Sequence, residues 1–60
     1  MKTKLLKIDL IGFREHKMKF ADIIEAMEEI KQEKNFDHVD YVGFIYDIES
    51  DNGRIFCEAI

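Results

Sequence analysis

The chain has 60 residues, with nine Lys or Arg against thirteen Asp or Glu and a formal net charge of −4. That length leaves room for one domain, and the single cysteine, Cys57, excludes an intramolecular disulfide and any zinc site built from several cysteines. No stretch approaches the roughly 18 apolar residues of a membrane span. Lys7 and Asp9 interrupt the leucines that would otherwise resemble a signal peptide. We therefore expect a cytoplasmic protein that meets no membrane.

A chain this short buries only about 60% of the surface that it exposes when unfolded. Small domains therefore commonly depend on disulfides, a metal or self-association. The composition, 47% hydrophobic and 37% charged, is that of a compact domain with no disulfide to support it. We expect no cofactor, and we expect self-association or a partner chain to supply the missing support.

Residues 3–13 predict a first β-strand, because apolar side chains alternate along them. One face would carry Leu6, Ile8 and Leu10. The other face would mix charged with apolar side chains, namely Leu5, Lys7, Asp9, Ile11 and Phe13. Gly12 is expected at the end of the strand or at a bulge.

Residues 18–34 predict an amphipathic helix. Its apolar side chains recur three and four residues apart and form one stripe, made by Phe20, Ile23, Ile24, Met27, Ile30 and the stem of Lys31. Asn35 is a candidate left-handed residue at the helix C-terminus, with Phe36 folding back on the last turn. No Ser, Thr or Asn marks the helix start, so the pattern leaves that boundary open.

Residues 39–49 and 54–60 predict two further strands. The fold class is therefore α+β, a small β-α-β-β domain over residues 1–60 in which one helix packs on one face of a three-stranded sheet. The last strand is short and apolar on both faces, so we favour a sheet in which it lies between the other two. The later strands would face the helix with Val42, Phe44, Tyr46, Ile48, Ile55 and Cys57.

The turn between these strands contains Asn52-Gly53, a pair that favours hairpins because both residues tolerate positive φ. A two-residue loop would place Asp47 opposite Glu58, where like charges repel. A four-residue loop places Glu49 opposite Arg54, and likewise Ile48 opposite Ile55. We favour the four-residue loop.

One helix can cover only one face of a sheet, so the opposite face should be polar. Here it is expected to be largely apolar, with Phe13, Tyr41, Ile45 and Phe56 as candidate interface residues. Large exposed apolar patches usually mark interaction surfaces. We therefore predict a homodimer, or a complex with another protein, formed by this face or by a strand edge. The alternative is that sheet twist and long lysine stems cover the face.

Charge is unevenly distributed along the chain. Residues 1–19 hold six basic residues and two acids, whereas residues 20–60 hold three basic residues and eleven acids. The helix face opposite the apolar stripe carries Asp22, Glu25, Glu29 and Glu33. These acids, some of them repelling each other one turn apart, are candidate contacts for a protein partner with a basic surface. An ordinary solvated helix face is the alternative.

The connection before the helix is basic, with Arg14, His16, Lys17 and Lys19. A ligand- or nucleic-acid-binding regulator that uses the basic loop Arg14 to Lys19 is therefore the alternative function. The loop lacks the glycines of a phosphate cradle and the interleaved aromatic residues of a base-binding surface. Because the whole chain is also acidic, nucleic acid is an unfavoured partner.

No catalytic constellation is visible in the sequence. Cys57 falls within a predicted strand, whereas His16 and His38 fall in predicted connections, so a buried apolar role fits the cysteine better than a nucleophilic one. The acids of residues 47–58 resemble a calcium loop only in part, because the glycine comes one place late and strands flank the segment. We expect neither catalysis nor a bound metal.

The sequence therefore predicts a small acidic protein-binding module. By analogy only, a short acidic domain without catalytic residues suits an inhibitor or adaptor, including those encoded by phages and other mobile elements. By that analogy, we expect the chain to act as an inhibitor or adaptor that binds a protein partner.

Overall fold

A computed structural model describes residues 3–60. It contains β1 (Lys4–Ile11), α1 (Phe20–Glu33), β2 (Val39–Asp47) and β3 (Asn52–Ala59). The strands form one antiparallel sheet in the order β1-β3-β2. This confirms the α+β class, the β-α-β-β order and the central position of the last strand. Helix α1 is neither long nor apolar enough to cross a membrane.

Strand β1 alternates as predicted. Leu6, Ile8 and Leu10 are half-buried and pack against the core, whereas the side chains between them are exposed. The strand pairs with β3 so that Ile8 lies opposite Ile55. Gly12 follows the strand directly, with a φ of 73°. This positive φ explains why a glycine ends the strand, because other residues rarely adopt it.

Helix α1 is held at both ends by local hydrogen bonds. At its start, the Lys19 N–H donates to Asp22 Oδ2 at 2.6 Å. At its end, the Asn35 N–H donates to the Gln32 carbonyl, and the Phe36 N–H donates to the Lys31 carbonyl at 3.0 Å. With the Asn35 φ of 57°, this is a Schellman motif. The predicted left-handed asparagine is confirmed, and the helix is two residues shorter at its start than the predicted span.

The hairpin differs from both registers considered above. Asp47 pairs with Asn52, so the turn consists of residues 48–51, and Asn52-Gly53 belongs to β3. The predicted loop length of four residues is correct, but the predicted residues are wrong. Asp51, with a φ of 53°, supplies the left-handed residue that the sequence analysis assigned to Asn52-Gly53. Ile48, predicted to face the helix, lies in the turn and is 72% exposed.

Gly53 has a packing role. A Cβ atom on Gly53 would lie 2.8 Å from Cζ of Phe44 and 3.0 Å from Cδ2 of Phe13. The two rings pack together over this position, with their centroids 5.1 Å apart. Glycine is therefore required because two aromatic rings approach the backbone closely.

A β-bulge in β2 changes which side chains face the helix. Tyr41 pairs with Cys57 but Gly43 pairs with Phe56, so Val42 is the extra residue. Because a bulge shifts the alternation by one residue, Tyr41 before it and Phe44 after it both lie on the helix side. Val42, predicted to pack under the helix, is 52% exposed instead.

The fully buried core is small and lies under α1. Within residues 3–60, its buried side chains are Ile23 from the helix and Ile55, Cys57 and Ala59 from β3. Burial raises the pKa of the Cys57 thiol, so the thiolate is disfavoured. The prediction that Cys57 is a buried apolar residue is confirmed.

We expect Gly53→Ala to lower the free energy of unfolding by about 1–3 kcal/mol, because the added methyl group displaces the Phe13 and Phe44 rings. Gly43→Ala is the matched control, since a Cβ at Gly43 meets no atom within 4 Å. That variant should change stability by no more than about 0.5 kcal/mol. Urea unfolding of both variants measures the difference, and equal midpoints would contradict the packing role of Gly53.

Candidate functional site

A groove with a volume of about 350 Å³ lies between α1 and β2. Ile23, Met27 and Val39 form its buried or half-buried base. Its walls are Phe20, 63% exposed, together with Ile24 and Tyr41, each 47% exposed. We call this surface the apolar groove.

Two aromatic side chains in the walls of the apolar groove pack against each other. The rings of Phe20 and Tyr41 meet edge to face, with centroids 6.5 Å apart. Such a pair is favourable beyond the area that it buries. The edge strand β2 runs beside this pair, so a bound segment can contact both apolar side chains and strand backbone.

The rim of the apolar groove carries charge of both signs. Glu28, Lys31 and His38 complete its lining. His38 Nε2 lies 2.8 Å from Oδ1 of Asp40 on β2. Glu28 stands one helical turn from Glu25, so the acidic helix face borders the groove.

Of the four predicted interface residues, two lie on the open sheet face and two do not. Ile45 and Phe56 line a shallow depression of about 190 Å³ on the open face. Phe13 packs against the core and against the rings of Phe44 and Tyr46. Tyr41 lines the apolar groove. The predicted open-face positions of Phe13 and Tyr41 are therefore wrong, because the Val42 bulge turns Tyr41 over and Phe13 leaves the strand after Gly12.

The open face is less apolar than predicted, because an ion pair crosses its middle. Arg54 Nε donates to Asp9 Oδ1 at 2.8 Å, and Asn52 Nδ2 donates to the same oxygen at 3.3 Å. These bonds lower the pKa of Asp9 and raise that of Arg54. Polar groups therefore separate Leu5 and Ile11 on β1 from the apolar residues of the other strands.

The acidic helix face is largely exposed, as predicted. Glu25, Glu29 and Glu33 are exposed, and none makes an ion pair within the part of the chain that the structure describes. Asp22 is different, because its carboxylate caps the helix start by accepting the Lys19 N–H. Three of the four predicted acidic contacts thus remain available to a partner, and Asp22 has a structural role.

The basic loop is held by Asp51, which sits in the β2–β3 turn. The Asp51 carbonyl accepts the N–H groups of Gly12 and Phe13, at 2.9 and 3.0 Å. Its carboxylate accepts the N–H groups of Arg14 and Glu15, at 2.9 and 3.0 Å. Asp51 thus occupies the loop amides that a bound phosphate would use. No local sequence signal marks Asp51 for this role, because only the fold brings the two loops together.

Tyr46 completes the Asp51 site by donating its hydroxyl hydrogen to Asp51 Oδ1 at 2.6 Å. Hydrogen bonding from Tyr46, Arg14 and Glu15 lowers the pKa of Asp51. The same contact raises the pKa of Tyr46, because the carboxylate stabilises the neutral phenol. The ionised carboxylate is therefore the form that holds the loop in place.

Side chains that could bind a metal do not lie close together within residues 3–60. No cluster of three or more His, Cys, Asp or Glu side chains occurs there. The fold separates the acids of the partial calcium pattern. Glu58 pairs with Leu5 and Asp40, whereas Asp47 lies beside the turn.

We expect the folded protein to lose stability as the pH falls through the depressed pKa of Asp51. The contribution is fully present above the unfolded value of about 3.9 and disappears once the folded carboxylate is protonated. Asp51→Asn should lower the urea midpoint at neutral pH and flatten the acid branch of the stability curve. Asp47→Asn is the control, because an asparagine oxygen can still accept the Glu49 N–H. Identical acid branches for Asp51→Asn and the unmodified chain would contradict this role.

Comparison with protein-family models found no match, and comparisons with curated proteins and with solved structures found none either.

Proposed function

We propose that the chain is a non-catalytic binding module that captures an extended segment of a protein partner in the apolar groove. The observation that carries the proposal is the exposure of Phe20, Ile24 and Tyr41 along one continuous cleft beside an edge strand. Aromatic side chains at the centre of a cleft are the usual anchors of protein interfaces. An inhibitor or adaptor in the cytoplasm needs no more chemistry than this.

The geometry favours an extended segment over a helix. Strand β2 is an edge strand, so its outer backbone groups can pair with an added strand. Alternate side chains of that strand would then point towards the groove, where Phe20 and Ile24 receive them. The partner should therefore present apolar residues at every second position.

The charge around the groove favours basic residues between those apolar ones. Glu28 lines the groove, and Glu25 and Glu29 are exposed on the same helix. Opposite charges across an interface accelerate association and exclude acidic competitors. The basic loop supports the alternative role in nucleic-acid or ligand binding less well, because Asp51 already uses its backbone amides.

We expect a displayed library of random peptides to yield binders that alternate apolar residues with Lys or Arg. Phe20→Ala should weaken the selected peptides at least tenfold, or about 1.4 kcal/mol, because the variant removes a wall of the groove. Ile48→Ala is the control, since Ile48 is similarly exposed but lies in the distant turn. Peptide titration by fluorescence anisotropy measures the affinities. Failure to enrich any peptide, or equal loss in both variants, would disprove groove binding.

We expect Glu29→Lys to separate binding from stability. The change converts two repulsive pairs, with Glu25 and with Glu33, into attractive ones, so the free energy of unfolding should rise by about 0.5–1 kcal/mol. Peptide affinity should fall, and fall most at low salt, because the partner is expected to be basic. Unchanged affinity in this more stable variant would mean that the acidic helix face is only solvated surface.

A further inference from the structure

Strand β1 forms the edge of the sheet opposite the apolar groove. It pairs on one side with β3, and no other strand of residues 3–60 pairs with its second side. Two large apolar side chains stand on its open face, Leu5 at 63% and Ile11 at 76% exposure. Exposed apolar edge strands readily pair with another chain.

The helix also leaves the other face of β1 incompletely covered. Helix α1 packs mainly on β2 and β3, and Leu6, Ile8 and Leu10 are only half-buried. The whole chain exposes 4702 Å², whereas a compact monomer of 7.1 kDa exposes about 4,100 Å². Its radius of gyration is 11.8 Å, against about 10.4 Å for a compact 60-residue domain. The chain is therefore less compact than a typical monomer of its size, and the exposed Leu5 and Ile11 of β1 are part of its uncovered apolar surface.

The sequence of β1 is complementary to itself when it is read in the opposite direction. Within three residues of Ile8, each residue before it matches the residue at the same distance after it. Lys7 matches Asp9, Leu6 matches Leu10, and Leu5 matches Ile11. Both faces of the strand are complementary. On the open face, Lys7 meets Asp9 and Leu5 meets Ile11, and on the helix side Leu6 meets Leu10.

We infer that the chain forms a two-fold symmetric dimer in which β1 pairs antiparallel with β1 of a second copy, with Ile8 opposite Ile8. The two sheets then become one six-stranded sheet. On its open face, Lys7 of each copy lies opposite Asp9 of the other, and Leu5 lies opposite Ile11. On its helix side, the half-buried residues of the two β1 strands become neighbours.

Asp9 can take part without losing its present partners. Among the described residues, Arg54 and Asn52 both donate to Oδ1 of Asp9. Oδ2 therefore lies open to the lysine of the second copy. A carboxylate can accept bonds at both oxygens at once.

Strand β2 is a poorer edge for self-association. The two charged residues of β2 are both acids, Asp40 and Asp47, so two β2 strands cannot pair opposite charges. The Val42 bulge also interrupts the regular strand, so two copies of β2 would meet with an irregular ladder in each. Pairing of β1 with β2 of another copy would be head-to-tail and would tend to extend into fibres.

The inferred dimer goes beyond the proposed function and does not depend on it. The groove lies at β2 and the dimer forms at β1, so both grooves stay open at the two ends of the shared sheet. Failure of peptide binding would leave the dimer intact, and loss of the dimer would leave each groove intact.

Sedimentation equilibrium over about a hundredfold concentration range tests the dimer. The unmodified chain should approach twice 7.1 kDa. Lys7→Glu should raise the dissociation constant about tenfold or more, because two-fold symmetry places two acid pairs in the interface. Lys4→Glu is the control, because it makes the same charge change at a different place. In the dimer, Lys4 would lie opposite Gly12 of the second copy, which comes after the end of β1. That variant should dimerise normally.

Cysteine pairing tests the register. Leu5→Cys combined with Ile11→Cys should form a covalent dimer under mild oxidation, since directly opposite Cα atoms are about 4.5–5.5 Å apart and a disulfide spans that distance. Each single variant should stay uncrosslinked. The two positions within one chain lie about 20 Å apart, so they cannot join to each other.

A monomeric mass at every concentration would overturn the inference. Equal effects of Lys7→Glu and Lys4→Glu, or crosslinking by a single-cysteine variant, would overturn the register. Ile45→Asp provides the last discrimination, because Ile45 is exposed on the open face but lies on β2. A dimer that dissociates with Ile45→Asp would be formed by the open face and not by the β1 edge.

Discussion

Within residues 3–60, a single helix of fourteen residues covers a sheet of three strands. Most features of the molecule follow because one helix is too narrow to cover all three strands. Only the central strand is fully covered, and it supplies Ile55, Cys57 and Ala59 to the buried core. The two edge strands keep apolar side chains that are half-buried or exposed. The apolar groove arises where the helix meets β2, and the partly covered row of β1 arises on the other side. Both surfaces consequently have free apolar area to bury against a partner.

At the end of the sheet beside the β2–β3 turn, the structure is held together by hydrogen bonds to the carboxylate of Asp51. This one group joins the β2–β3 turn to the loop after β1 by accepting two backbone N–H groups and the Tyr46 hydroxyl. The loop amides, which would be the natural place for a bound anion, are thereby used inside the protein. The basic side chains of the loop remain exposed, and of these Arg14 lies close enough to act on the Asp51 carboxylate.

The two proposed surfaces use different parts of an uneven charge distribution. The groove lies beside the acids of the helix, with Glu28 in its lining, so its proposed partner should be basic. The β1 edge carries both Lys7 and Asp9, so it can recognise a second copy of itself. If both proposals hold, each dimer presents two grooves, and a partner with two binding segments would gain affinity from their linkage.

The elements with local signals are predictable from the sequence alone. The alternation in β1, the stripe of α1 and the left-handed Asn35 all follow from the properties of neighbouring residues. Tertiary structure decided the hairpin register, because Gly53 is needed where Phe13 and Phe44 pack from distant parts of the chain. It also decided the Val42 bulge, and with it the placement of Tyr41 in the groove. Periodicity cannot reveal these features, because a bulge reverses the alternation and depends on how side chains from several strands pack together.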